Sequence, residues 1–275
     1  MHANTTIARA VRGLGICLIA GATALLTGCQ TYDAALGSGI NVTAIDSARL
    51  TRSGFLSDYA RLKPVAALDG IECWRDTALN PKQFDKVLVS RIVVSLVPPK
   101  GQKEGEVKTI DPNDLKTLTD YFHGALVKAL KPQMQVVDKA GPGVVVIRVA
   151  LTDLVPTTVT DSLAGTLIPY GFVAEAGSGV ATGRPAGSTP YLGETGMEMQ
   201  FRDGANGRII AECRDTEIGR KYAAAVNSSA VGAAQTWANG YLSSFQAWQY
   251  AKEAFDKWSL LVARRVAELR GDAMK

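Results

Sequence analysis

Histidine is almost missing from this chain of 275 residues, where His2 and His123 are the two copies. A zinc site draws on several His or Cys ligands, and cysteine, with four copies, is nearly as scarce. No G-x-S-x-G turn is present to raise a nucleophilic serine out of a sheet. The one loop that invites a nucleotide, GSGVATG at 177–183, sets its glycines at 177, 179 and 183. That is one residue too wide for G-x-G-x-x-G, and no strand leads into it. Long apolar runs are missing too, which argues against a membrane-spanning helix. A strong charge of either sign is also absent, and the basic residues are scattered, so nucleic acid is not an expected partner.

What is present begins at the N-terminus. Residues 1–13 carry Arg9 and Arg12 and no acid, and residues 14–26, LGICLIAGATALL, carry no charge. At helical rise that run spans about 20 Å, short of the ~30 Å hydrocarbon core, so it reads as a secretory signal. Leu26-Thr27-Gly28-Cys29 follows directly. This resembles the lipobox of bacterial lipoproteins, which implies cleavage after residue 28 and lipid on Cys29. A single acyl chain binds a membrane only marginally, whereas two or more anchor it stably. In that pattern Gln30, in place of an aspartate, implies delivery to the outer membrane. The expected layout is a signal peptide at 1–28, a lipidated flexible tether at 29–51, and one domain at 52–275.

Loss of the signal removes two arginines and no acid, leaving 28 basic against 26 acidic residues. It also removes Cys17, and lipid occupies Cys29, so Cys73 and Cys213 remain. An even pair in an exported chain points to a disulfide, with two buried thiols as the alternative.

In the mature chain, Phe55, Leu56, Tyr59 and Leu62 are spaced like one face of a short helix within 52–65, stopped by Pro64. KVLVSRIVVSLV at 86–97 reads as one strand. Asp111 before Pro112 reads as an N-cap with proline at the first helical position, and Leu115, Leu118, Phe122, Ala125 and Ala129 continue that helix to Lys131-Pro132. Short MQVVD at 134–138 and long VVVIRVALTDLV at 144–155 read as strands. Residues 162–196 are glycine-rich and read as a surface excursion with one short helix near Leu163–Ala176. EMQFR at 198–202 and RIIAECRD at 208–215 flank DGANG as a hairpin. Phe245, Trp248, Ala251, Phe255, Trp258, Val262 and Leu269 form an amphipathic stripe that makes the last 30 residues a helix. SGFLSDY at 53–59 is echoed by NGYLSSF at 239–245. The order predicts an α+β fold: a single mixed or antiparallel sheet, helices packed on one face, and a long C-terminal amphipathic helix.

Candidate chemistry is thin. His123, beside Phe122 on an amphipathic helix, reads as a packing residue. Asp58, Asp76, Asp85, Asp153, Glu198 and Asp203 supply carboxylates that could pair for glycan acid/base work, but nothing in the sequence selects two of them. Trp74, Trp237, Trp248 and Trp258 could line a groove, although the last two fall on the C-terminal stripe and read as core. No catalytic residue, metal or cofactor is expected.

SGFLSDYARLKP at 53–64, the strand near 86–97, and MEMQFRDGANGRIIA followed by a Trp-bearing helix give the mature region a family likeness. It resembles a family of Gram-negative lipoproteins known as domain of unknown function 3313. The resemblance implies an exported, lipid-anchored α+β domain and no established activity. The expectation is therefore a periplasm-facing lipoprotein of the outer membrane, held there by Cys29 and acting as a non-enzymatic binding or assembly module with an envelope protein or a second copy as partner. Its rivals are a membrane-associated homo-oligomer using 162–196 and a periplasmic glycan or peptidoglycan hydrolase.

Overall fold

The computed structural model describes residues 42–44, 50–68, 70–96, 110–157, 193–219 and 246–272. The expected signal, the expected lipobox residues Leu26, Thr27, Gly28 and Cys29, most of the expected excursion and the second copy of the SGFLSDY-like motif lie outside them.

Among the described residues, nine strands form one mixed sheet. They are β1 (Val42–Ala44), β2 (Lys63–Pro64), β3 (Glu72–Arg75), β4 (Lys86–Val89), β5 (Val93–Val94), β6 (Gln135–Val136), β7 (Val144–Val155), β8 (Glu194–Asp203) and β9 (Ile209–Gly219). The main path runs β2-β3-β9-β8-β7-β4-β6, with β1 also on β9 and β5 also on β7. The three long strands β7, β8 and β9 are antiparallel and form its centre. β4 runs parallel to β7 and to β6. That arrangement needs a crossover, and helix α1 (Pro112–Leu130) lies between β5 and β6 in the chain.

The α+β expectation holds, and most elements fall where the pattern put them. Asp111 caps α1 by accepting from Asn113 N at 2.7 Å, with Pro112 behind it. Helix α2 (Gln249–Arg270) ends at Gly271, whose φ of 72° suits glycine, and Asp272 N bonds back to Ala267 O at 2.9 Å.

Four expectations are corrected. Residues 52–65 form turns and the short β2 rather than a helix. The strand expected at 86–97 is two strands. Val89 pairs Ile147 while Val93 pairs Ala150, so the 90–92 segment carries one extra residue, as at a bulge. Within the expected tether, Val42–Ala44 pairs with Glu217–Gly219 of β9. The 162–196 excursion also ends earlier than expected, because Glu194–Gly196 already belongs to β8.

Alternation along β8 and β9 gives the sheet two distinct faces. Met197, Met199, Cys213 and Asp215 face the helices, while Glu198, Gln200, Glu212 and Arg214 face the 50–62 segment. On the helix side Phe122 stacks on Phe255 at 4.5 Å, with Trp258 at 5.8 Å from Phe122. Trp258 is fully buried and donates from Nε1 to Asp215 at 2.8 Å. A buried ion pair, Lys257 to Glu217 at 2.6 Å, lies on the same face. Gly219 lets α2 approach: a Cβ there would sit 2.6 Å from the Tyr250 ring. Among the described residues, no helix is long and apolar enough to cross a membrane.

Candidate functional site

The motif SGFLSDYAR is held by two buried glutamates of neighbouring central strands. Glu198 on β8 accepts from Ser53 N at 3.0 Å, Ser53 Oγ at 2.6 Å and Tyr59 OH at 2.8 Å. Glu212 on β9 accepts from Ser57 N and Ser57 Oγ, both at 2.8 Å, from Gln200 Nε2 at 2.8 Å and from Arg61 at 2.5 Å. Each serine therefore presents its N–H and its hydroxyl to one carboxylate. The local helix loses because these N–H groups bond residues 145 and 155 positions away. Gly54, at φ 85°, also turns the chain out of the helical region.

Around this clamp, Arg61 lies 3.5 Å over the Trp74 ring, and Arg214 pairs with Glu72 at 2.7 Å. Burial pushes the Glu212 carboxyl up, but the Ser57, Arg61 and Gln200 donors outweigh it and hold it below the ordinary value. Burial first, then the Glu198 carboxylate, pushes the Tyr59 phenol up. The motif that most distinguishes the sequence is thus spent on sealing the polar face of the sheet. Glu212, Arg61 and the two serines were not among the expected site residues. Their signal was available in the four-residue spacing of Ser53 and Ser57 and in the alternation M-E-M-Q-F-R, whose polar face needs a cover.

The other carboxylates are dispersed. Asp58 and Asp203 accept from nearby backbone in turns, at Ala60 N and Ala205 N. Asp76 pairs with Arg208 at 3.0 Å, and Asp85 lies near Lys86 at 3.6 Å. Of the six, the structure brings together Asp153 and Glu198, on adjacent strands, and both accept from the 51–59 segment. His123 packs half-buried with Nε2 3.2 Å from Val89 O. Trp248 donates to Asp114 at 2.9 Å. Trp237 and GSGVATG lie outside the described residues, among which no group of three His, Cys, Asp or Glu could hold a metal.

Asp153 has a consequence of its own. It accepts from Thr51 at 2.9 Å and Thr152 at 3.1 Å. Burial, with the Glu194 and Glu198 charges adding to it, nevertheless lifts its pKa from 3.8 to about 6. Between those values the folded chain binds more protons than the unfolded one, so stability falls as pH rises. The cost is complete above about pH 6 and amounts to about 3 kcal/mol. Asp153→Asn should therefore match the parent near pH 4 and exceed it by up to about 3 kcal/mol at pH 8. Denaturant melts at both pH values test this, and a difference that does not change with pH would sink it.

On the helix face Cys73 and Cys213 form the expected disulfide across β3 and β9, in direct register with Cα atoms 4.1 Å apart. It lies in the wall of a cavity of about 200 Å³ between the sheet and the C-terminal half of α2. Met199, Phe201, Ala211, Leu261, Val262 and Val266 line it, with Arg75, Arg265 and Arg270 among its few polar side chains. The first half of α2 seals against the sheet through Tyr250, Phe255 and Trp258. Further along, Val262, Val266 and Leu269 are only half-buried although they face the sheet side, so the cavity reaches solvent.

A family model described as "Protein of unknown function (DUF3313)" matches residues 51–245. Among solved structures, the chain is similar to the PelC dodecamer from Paraburkholderia phytofirmans at 14% identity and a TM-score of 0.30, over 64% of this chain and 98% of that one. It is similar to protein XCC0632 from Xanthomonas campestris, of the DUF330 family, at 11% identity and a TM-score of 0.28, over 70% and 94%. A PDZ domain protein from Parabacteroides distasonis matches at 11% and a TM-score of 0.29, over 75% of this chain and 36% of its own. No curated protein sequence matches.

Proposed function

This chain belongs to the DUF3313 family, and on that premise we propose that it is a lipid-anchored, non-enzymatic binding or assembly module of the outer membrane. The observation that carries the reading is the apolar cavity beside α2, set in a sheet whose buried glutamates are already occupied by the chain's own donors. A concave, mostly apolar hollow with a few polar groups at its edge suits binding. Carboxylates that each accept three or four internal bonds have little capacity left to move a substrate proton.

Anchoring rests on Cys29 at the end of a signal-like run, with Gln30 behind it. Cys29→Ser should abolish acylation and move the protein out of the outer-membrane fraction, read by fractionation and intact mass. Unchanged membrane retention would overturn the anchor. The binding role is tested by crosslinking the lipidated protein in cells, followed by mass spectrometry of the captured complexes. One dominant envelope partner supports an assembly module.

A second reading keeps the membrane-associated homo-oligomer expected to use 162–196; with most of that segment outside the described residues, its support here comes from the outer edge of the sheet. There Val93, Val94 and Leu96 of the β5 region and Val136 of β6 are exposed. Apolar side chains on an edge are a ready surface for a second copy. Crosslinks confined to self-pairs through these residues would favour it over the first reading.

A further inference from the structure

We infer that the cavity between the sheet and the C-terminal half of α2 takes the alkyl chain of a single-chain anionic amphiphile, a fatty acid in its simplest form, with the acid group at the arginine-bearing rim. The inference deepens the binding reading above and rests on it.

Size sets the first limit. An apolar hole of ~150 Å³ stays dry and takes up a six-carbon guest such as benzene, so a hollow of about 200 Å³ admits roughly eight carbons of one alkyl chain and not the pair of a diacyl lipid. Lining sets the second. Met199, Phe201, Ala211, Leu261 and Val266 offer no hydrogen bond to a polar guest, and burying an unpaired polar group there is unfavourable.

Charge sets the third. Among the described residues, Arg75, Arg265 and Arg270 line the cavity against one acid, Asp76, which is held by Arg208. Arg265 pairs with Glu268 at 3.0 Å, and Arg270 with Asp272 at 2.7 Å. Arg75 has no carboxylate partner among the described residues; its Nη1 donates to the Asp76 carbonyl at 3.4 Å. By strand alternation Arg75 points to the same face as Cys73. An arginine fork with open donors beside an apolar hollow is matched by a carboxylate at the end of an alkyl chain.

The test uses the full-length lipidated protein in phosphatidylcholine nanodiscs. The probes are a diazirine-bearing octanoic acid, its methyl ester, and a diazirine-bearing diacyl phosphatidylglycerol. After irradiation and digestion, the acid should label peptides covering 197–213 and 258–270, and should do so about tenfold more than the ester. Ala211→Phe, or Val262→Trp if the first variant fails to fold, should abolish that label by filling the hollow. Arg75→Gln should bring acid labelling down toward the ester without changing the melting temperature.

Equal labelling by acid and ester, or indifference to Arg75→Gln, would overturn the anionic assignment while leaving an apolar binding module standing. Labelling of the same peptides by the diacyl probe as strongly as by the acid would overturn the single-chain assignment. No label on those peptides from any probe would overturn both this inference and the use of the cavity for binding.

Discussion

Replacing Cys73 and Cys213 with alanine lowers the stability of the folded chain by about 2–5 kcal/mol, a fall in Tm on the order of 10 °C for a domain of this size. The bridge spans 140 residues of sequence, and in the chain-entropy account closing so long a loop restricts the unfolded chain by about 5 kcal/mol. The folded side has its own reason to need it. β3 has four residues, and its outer neighbour β2 has two. That edge also carries Glu72, paired with Arg214, and Trp74, which lies under Arg61. Freed of the bridge, β3 is held by four register pairs to β9, so amide exchange should accelerate first over 63–75. Serine in place of the sulfurs should cost more than alanine, because the positions line the apolar cavity and a hydroxyl there lacks a partner. Thermal melts of the oxidised parent and the double variant decide the matter; transitions within a degree of each other would rule out a stabilising role.

The elements that were legible are those whose cause is local. Asp111 and Pro112 announce a helix start by what their own side chains do to the next turn. DGANG announces a hairpin in the same way, and the β-branched run at 144–155 has no other stable reading. The disulfide was legible by elimination, since two of four cysteines had other expected fates. Residues 53–62 misread for the opposite reason. Their apolar spacing is helical, but the acceptors that capture Ser53 N and Ser57 N are on β8 and β9, and no local period reports them. The break at 90–92 follows from registration against β7, which the apolar run alone does not encode. ECWR at 72–75 is short and polar, and becomes a strand because β9 offers it a ladder and a cysteine. Of the candidate site, Glu198 was one of six interchangeable carboxylates, and Glu212 was not singled out at all. The cavity could not be read, because its walls come from elements more than a hundred residues apart.

Glu212→Ala should be the most damaging single substitution on the polar face, at about 3–5 kcal/mol. Its side chain is fully buried and holds four donors at once: Ser57 N, Ser57 Oγ, Gln200 Nε2 and Arg61. Alanine leaves a backbone N–H, a hydroxyl, an amide and a guanidinium facing a hole, and each must find water or stay unpaired. The loss should be coupled to its partner: in a Ser57→Ala/Glu212→Ala cycle the two changes should fall short of their sum by about 1–3 kcal/mol. It should also depend on pH in a set direction. The Glu212 pKa lies below its ordinary 4.5 in the fold, so its contribution is fully present above that value and is lost as pH falls through the folded value. The gap between parent and Glu212→Ala should therefore be widest at neutral pH and narrow in acid. Opposite behaviour, a gap that widens in acid, would mean the clamp does not depend on the charged carboxylate. Glu212→Gln separates charge from shape: it keeps one oxygen for Ser57 but turns an NH₂ toward Arg61 or Gln200, and should fall between the parent and alanine. If both variants melt with the parent, the SGFLSDY segment is not what seals this face, and its role must lie in contacts beyond the sheet.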